Sequence, residues 1–157
     1  MMSLFKGPMR QHIQGHKELT EHVDILEIKA GNCVYIPMLS GASTNLEMLV
    51  QEGDKVLVGT KLAVCNERNV VPIYSSVSGT MKGIEKRMHS SLKPVNHLVI
   101  ENDGEYKKEQ SFEPLDYETA DRTALIDFMM NAGIIGLGGA GFPAYIKYKF
   151  AKDVEKL

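Results

Sequence analysis

The tightest constraint on what this chain can fold into is the rhythm of its turns between residues 50 and 80. VQEGDKVLVGTKLAVC (50–65) sets Glu52-Gly53-Asp54 and then Gly59 between short apolar runs, and SSVSGTMKGIE (75–85) adds a turn at Ser78-Gly79. Apolar runs this short, closed by glycine, suit strands rather than helices. The pattern extends to both sides. VDILEIK (23–29), CVYIPML (33–39), LEMLV (46–50), KVLV (55–58), LAVC (62–65), VVPIY (70–74), VSGTMKGIE (77–85) and HLVIE (97–101) all read as strands. Gly31-Asn32 is a turn pair between the first two. Many short strands at this spacing predict a barrel or sandwich over about 22–104.

The texture changes after Asn102-Asp103-Gly104. Residues 105–118 are polar, contain Pro114, and are expected to form a linker. A helix is predicted from Thr119 to Ala132, with Ala124, Phe128 and Ala132 four apart and Leu125 and Met129 beside them. That spacing gives one apolar stripe. Asp116 or Thr119 is the expected N-cap, and Gly133 the left-handed stop. An amphipathic run from Pro143 to about Asp153 predicts a second helix, with proline in its first turn. The stripe must fold back on the β module, pair with another copy, or stay mobile.

Composition narrows the function. Eighteen basic against twenty acidic residues give a net charge of −2, which argues against a general nucleic-acid binder. No window approaches the ~20 apolar residues that span a bilayer, so no direct membrane span is expected. The opening MMSLFKGPMRQH has no apolar core and is no secretory signal. Cys33 and Cys65 stand far apart among strand residues and are expected as buried free thiols. No CxxC spacing offers a zinc or iron–sulfur site. His12 and His16 have a helical ligand spacing, but Gly15 between them breaks the helix that would bring them together. Met81, Met88 and the Met129-Met130 pair are expected as core filler.

The stretch 46–101 resembles the biotinyl/lipoyl carrier and barrel-sandwich hybrid family, in which GDxVxxGxxLA precedes a PxSG turn. Carriers of that family present an acceptor lysine on a hairpin. Here that hairpin falls at Asn66-Glu67-Arg68-Asn69, and no lysine lies between Lys61 and Lys82. Arg68 stands near the acceptor position, and a guanidinium does not become an amide. The resemblance therefore implies the fold without the swinging arm.

GLGGAGFP (136–143) holds four glycines in six positions. Such a loop lets backbone N–H groups converge on an anion, and a helix opening at Pro143 would add its positive end. Gly136 to Gly141 also satisfies GxGxxG, but the dinucleotide fingerprint requires a strand directly before the loop, and here a helix precedes it. The longer string AGIIGLGGAGFPAYIKYKF (132–150) resembles the flavin loop of the NADH-oxidising flavoprotein subunit of respiratory complex I. It is more similar still to the C subunit of Rnf-type ferredoxin:NAD oxidoreductase complexes. HKELT (16–20) and the order of the β module before the loop agree with that.

The resemblance implies a mixed fold: a barrel-sandwich hybrid module, then the first helix–loop–helix of an α/β FMN/NADH-binding domain. It implies an arm at 1–21, the module at 22–104, the linker at 105–118 and the start of the flavin domain at 119–157. It implies that Gly136, Gly138, Gly139, Ala140 and Gly141 wrap FMN phosphate and ribityl, that Lys147 reaches flavin or nucleotide, and that Phe142 and Phe150 contact the nicotinamide nucleotide. FMN and NAD(H) would serve the complete protein, with [4Fe–4S] clusters held beyond residue 157. Its partners would be NADH and the other subunits of a membrane-bound electron transport complex, at the cytoplasmic face of the membrane. Two other functions fit the sequence: a non-catalytic docking module, and an electron carrier to a soluble proline or cobalamin reductase system.

Overall fold

The structure is a computed structural model and describes residues 15–110, 112–137 and 141–149. Among the described residues, seven strands form two antiparallel sheets. β1 (Cys33–Pro37), β7 (Pro94–Asn102), β6 (Gly79–Met88) and β3 (Lys55–Val56) make the larger one, in that order. β2 (Glu47–Met48), β4 (Lys61–Val64) and β5 (Ile73–Tyr74) make the smaller. The order follows from local chemistry at the turns. Asp54 closes the Gly53 turn, accepting through Oδ2 from the Gln51 amide at 2.8 Å. Thr60 closes the next, its Oγ1 accepting from the Leu57 amide at 2.9 Å. Both are short side chains bonding back to their own turn.

The two sheets close over one core of Met38, Val56, Leu62, Val77, Met81, Leu98 and Ile100. Leu62, Leu98 and Ile100 are wholly inaccessible to solvent. Each such side chain is worth roughly 1.5–3 kcal/mol of burial. Gly79 lets β6 cross β7 at the closest point, where a Cβ would overlap the Glu101 carbonyl. β4 and β5 flank a turn at 67–69, so Arg68 sits exposed at the tip of the expected hairpin.

Three expectations are corrected, and the stretch expected as a linker has partners. Residues 23–29 form no strand: Val23, Ile25, Leu26 and Ile28 are all exposed. Their apolar residues fall on both faces, and strand propensity without a pairing partner makes no strand. Cys33 is exposed at the start of β1, and Cys65 is half-buried with its thiol toward Ser43. Met81 is core, but Met88 is 68% exposed because β6 runs past the region its neighbours cover. The stretch 105–118 has specific partners: Val58 exchanges backbone bonds with Lys107 and Glu109. Within it, Phe112 meets Tyr74 of β5 and Phe128, each with ring centroids 5.9 Å apart.

That aromatic contact carries the helix. α1 (Arg122–Asn131) is shorter than expected, and its N-cap is Asp121, which accepts from the Ala124 amide at 2.8 Å. Asp116 instead closes its own preceding turn through Thr119 and Glu118. Those bonds, Thr119 first, hold its carboxyl below the usual range. Gly133 is the left-handed stop, at φ +68°. The apolar stripe is mostly half-buried, with Ile126 the deepest residue, and α1 meets the β module through its end, where the Asn131 carbonyl accepts from the Tyr74 hydroxyl.

Candidate functional site

After Gly133 the chain builds a pinched loop. Ile135 pairs with Pro143 in an antiparallel bridge. The Gly136 amide donates to the Phe142 carbonyl at 2.8 Å, and the Ala144 amide to the Ile134 carbonyl at 2.9 Å. Three consecutive backbone positions on each side thus hold 134–136 against 142–144. Leu137, which follows the ladder, is fully exposed.

The expected ligand residues fall unevenly on this frame. The Gly136 amide is spent in the ladder, donating to the Phe142 carbonyl. Gly141 has φ +54° and leads into Phe142, which is 42% exposed. Lys147 is exposed on a 3₁₀ segment, Ala144–Tyr148. Gly138, Gly139, Ala140 and Phe150 lie outside the described residues, as does His12.

The second helix is corrected to this 3₁₀ segment of five residues, with i to i+3 bonds such as Lys149 to Ile146. Its end is capped from elsewhere: the Arg122 guanidinium of α1 donates to the Tyr148 carbonyl at 3.0 Å. A borrowed donor there satisfies a carbonyl that a longer helix would have paired. Tyr145 is buried, with the Lys149 ammonium 4.9 Å from its ring centre. So short a segment supplies little dipole.

The β module braces the loop. The Tyr74 hydroxyl donates to the Asn131 carbonyl at the end of α1. Burial pushes the Tyr74 phenol up from its ordinary value. A cavity of about 770 Å³ separates module from loop, with Ser40, Tyr74 and His89 on one side and Gly133, Gly141 and Pro143 on the other. That volume suits a small ligand. Sequence reasoning missed Tyr74, Phe112 and Arg122. Phe112, the one phenylalanine in a polar stretch, was the visible signal.

The residues present fit an anionic group in part. Little crowds the described ends of the loop: a Cβ at Gly136 would come no closer than 3.6 Å to the Phe142 carbonyl oxygen, and one at Gly141 no closer than 3.8 Å to Ile135. Among the described residues no cluster of His, Cys, Asp and Glu could hold a metal ion. No helix among them is long and apolar enough to cross a membrane.

Comparison with known proteins agrees with this architecture. The RnfC barrel sandwich hybrid domain matches residues 5–105. The C subunit of a Na(+)-translocating ferredoxin:NAD(+) oxidoreductase complex from Acetobacterium woodii is 35% identical over 150 residues, 95% of this chain and 33% of that protein. Two C subunits of ion-translocating oxidoreductase complexes are also similar. That of Edwardsiella ictaluri is 32% identical, over 87% of this chain and 17% of its own length. That of Haemophilus influenzae is 30% identical, over 98% and 19%. The chain thus spans a third or less of the length of these relatives. With its two-sheet β module and the match across 5–105, the chain belongs to the RnfC barrel sandwich hybrid domain family.

Proposed function

We infer that this chain is the amino-terminal part of an electron-transfer subunit of the Rnf C type, with the glycine-rich stretch 137–141 holding the phosphate end of FMN. The observation that carries this is the ladder between 134–136 and 142–144, which brings the two ends of the glycine-rich stretch together. The relatives named as ferredoxin:NAD(+) and ion-translocating oxidoreductase subunits support the reading. Bound FMN would supply hydride chemistry with NAD(H), and electrons would pass to iron–sulfur centres elsewhere in the protein. The residues of this chain bind and orient. Amides of Gly138, Gly139, Ala140 and Gly141 meet phosphate and ribityl, Lys147 adds a positive charge, and Phe142 and Phe150 offer apolar faces to the nicotinamide nucleotide. The protein would sit at the cytoplasmic face of the membrane, beside the other subunits of its complex.

The test is flavin retention. In a protein extended to the length of the relatives, FMN should copurify, and Gly138→Val or Gly139→Val should abolish it while the β module stays folded. The 157-residue chain alone should bind FMN weakly or not at all. Full flavin retention by both valine variants would sink the assignment.

A further inference from the structure

The β6–β7 hairpin projects past the rest of the larger sheet. β3 pairs with β6 only at Gly79 and Thr80, and β1 pairs with β7 only from His97 to Glu101. One further backbone bond, from Met38 to Asn96, marks where β1 leaves it. Residues 86–95 therefore form a two-stranded ribbon, its turn closed by bonds between His89 and Lys93 and between Leu92 and His89.

This ribbon is unlike the rest of the chain in charge. From 82 to 93 the β6–β7 hairpin has four cations, Lys82, Lys86, Arg87 and Lys93, against one carboxylate, Glu85. The remaining residues have fourteen cations against nineteen carboxylates. Lys82 pairs with Glu101, and Arg87 is held by Glu85 and by the Tyr35 ring, 3.8 Å away. Lys86 and Lys93 have no ion pair among the described residues. Charge alone has a bland explanation, since lysines on a bare strand edge discourage edge-to-edge pairing.

The apolar tip has no such explanation. Met88 is 68% and Leu92 84% exposed. Leu92 also holds φ +61°, a left-handed conformation that glycine or asparagine would adopt at less cost. A branched aliphatic kept outward in a strained turn, between unpaired lysines, is an arrangement found where function holds a residue in place.

We propose that the tip of this hairpin docks on an anionic lipid surface, with Met88 and Leu92 entering the headgroup boundary and Lys86 and Lys93 against the lipid phosphates. A protein partner fits less well. Stable protein interfaces bury about 1,000 Å² or more and are anchored by aromatics and arginine, with lysine depleted. This tip is a few residues wide, and its one arginine is already engaged. Lipid needs only inserted side chains and diffuse charge, each lysine strengthening attachment by roughly fivefold. The inference stands apart from the flavin reading, and neither depends on the other.

Cosedimentation of the 157-residue chain with vesicles tests it. Partition onto phosphatidylcholine containing about a third phosphatidylglycerol should exceed that onto pure phosphatidylcholine by about tenfold, and weaken with salt. Lys86→Glu with Lys93→Glu should abolish the difference. Leu92→Asn relieves the turn and should leave the fold as stable or more so, yet lower the affinity several-fold. Equal partition onto both vesicles, or undiminished binding by these variants, overturns the proposal. So does absence of binding to either vesicle, which would point to an acidic protein surface instead.

Discussion

Gly133 lies against the ring of Tyr74, so closely that a Cβ there would come within 3.2 Å of Tyr74 Cε2. One residue ends the helix that leads to the glycine loop; the other belongs to the smaller sheet of the β module. Their contact, with the Tyr74 hydroxyl on Asn131 and Phe112 between the Tyr74 and Phe128 rings, joins loop to module.

Tyr74→Phe keeps the ring and removes the donor, and should cost about 1 kcal/mol. Gly133→Val must accept a positive φ and press on the ring, and should cost more, about 2–3 kcal/mol. Chemical denaturation measures both, and hydrogen exchange at Ala132 and Gly133 should quicken in each. Unchanged exchange there would show that the loop is held by something other than this contact.

Gly79→Ala should be among the most damaging single changes in the module. Its methyl would overlap the Glu101 carbonyl and crowd the carbonyl carbon at 2.9 Å, and these are backbone atoms of a central strand that cannot swing aside. A loss of about 3 kcal/mol or more is expected, with β6–β7 pairing disturbed. Circular dichroism melting settles it; a melting temperature like that of the parent would contradict the packing described.

Leu62→Ala removes a side chain with no solvent exposure from the space between the sheets, and should cost about 2–5 kcal/mol. Ile84→Ala, at an exposed site on β6, is the control and should cost far less. Similar costs for the two would mean the core is elsewhere.

Asp103 makes stability depend on pH at the acidic end. Its Oδ1 accepts from Ser78 Oγ at 2.6 Å and from the Glu105 amide at 2.9 Å, and these bonds, Ser78 first, hold its carboxyl below its ordinary value. A carboxyl lowered on folding stabilises above its unfolded value, and the benefit fades as pH falls through the lowered value. Asp103→Asn should therefore lose stability at neutral pH and flatten the acid limb below about pH 4. Parallel acid limbs for the two proteins would remove Asp103 from the account.

The hairpin with Arg68 at its tip should accept neither biotin nor lipoate. Intact mass after coexpression with either ligase should equal that of the unmodified chain. An added cofactor mass mapped to 60–80 would reverse this.

The turns of the module were legible because they are local. Gly53 and Gly59 fall where short-range chemistry closes a strand, and Asp54 and Thr60 bond within their own turns, whereas the turn expected at Ser78-Gly79 is the start of β6, where Gly79 answers to the distant Glu101 backbone. The stop at Gly133 was legible for the same reason. So was the kinship, since the strand–turn series and GLGGAGFP are strings of residue types that survive without a partner. What the sequence could not decide were outcomes set by distant groups. Residues 23–29 have strand composition, but a strand exists only where another pairs with it. Met88 looks like core until β6 is seen to outrun β3. The run after Pro143 looks like a helix, yet its end is set by Arg122 on another element. The Gly136 amide, a natural candidate for an anion, was taken by Phe142 once the loop pinched shut. Periodicity and turn chemistry are properties of neighbours along the chain, whereas burial and hydrogen-bond partnership are settled only when distant segments meet.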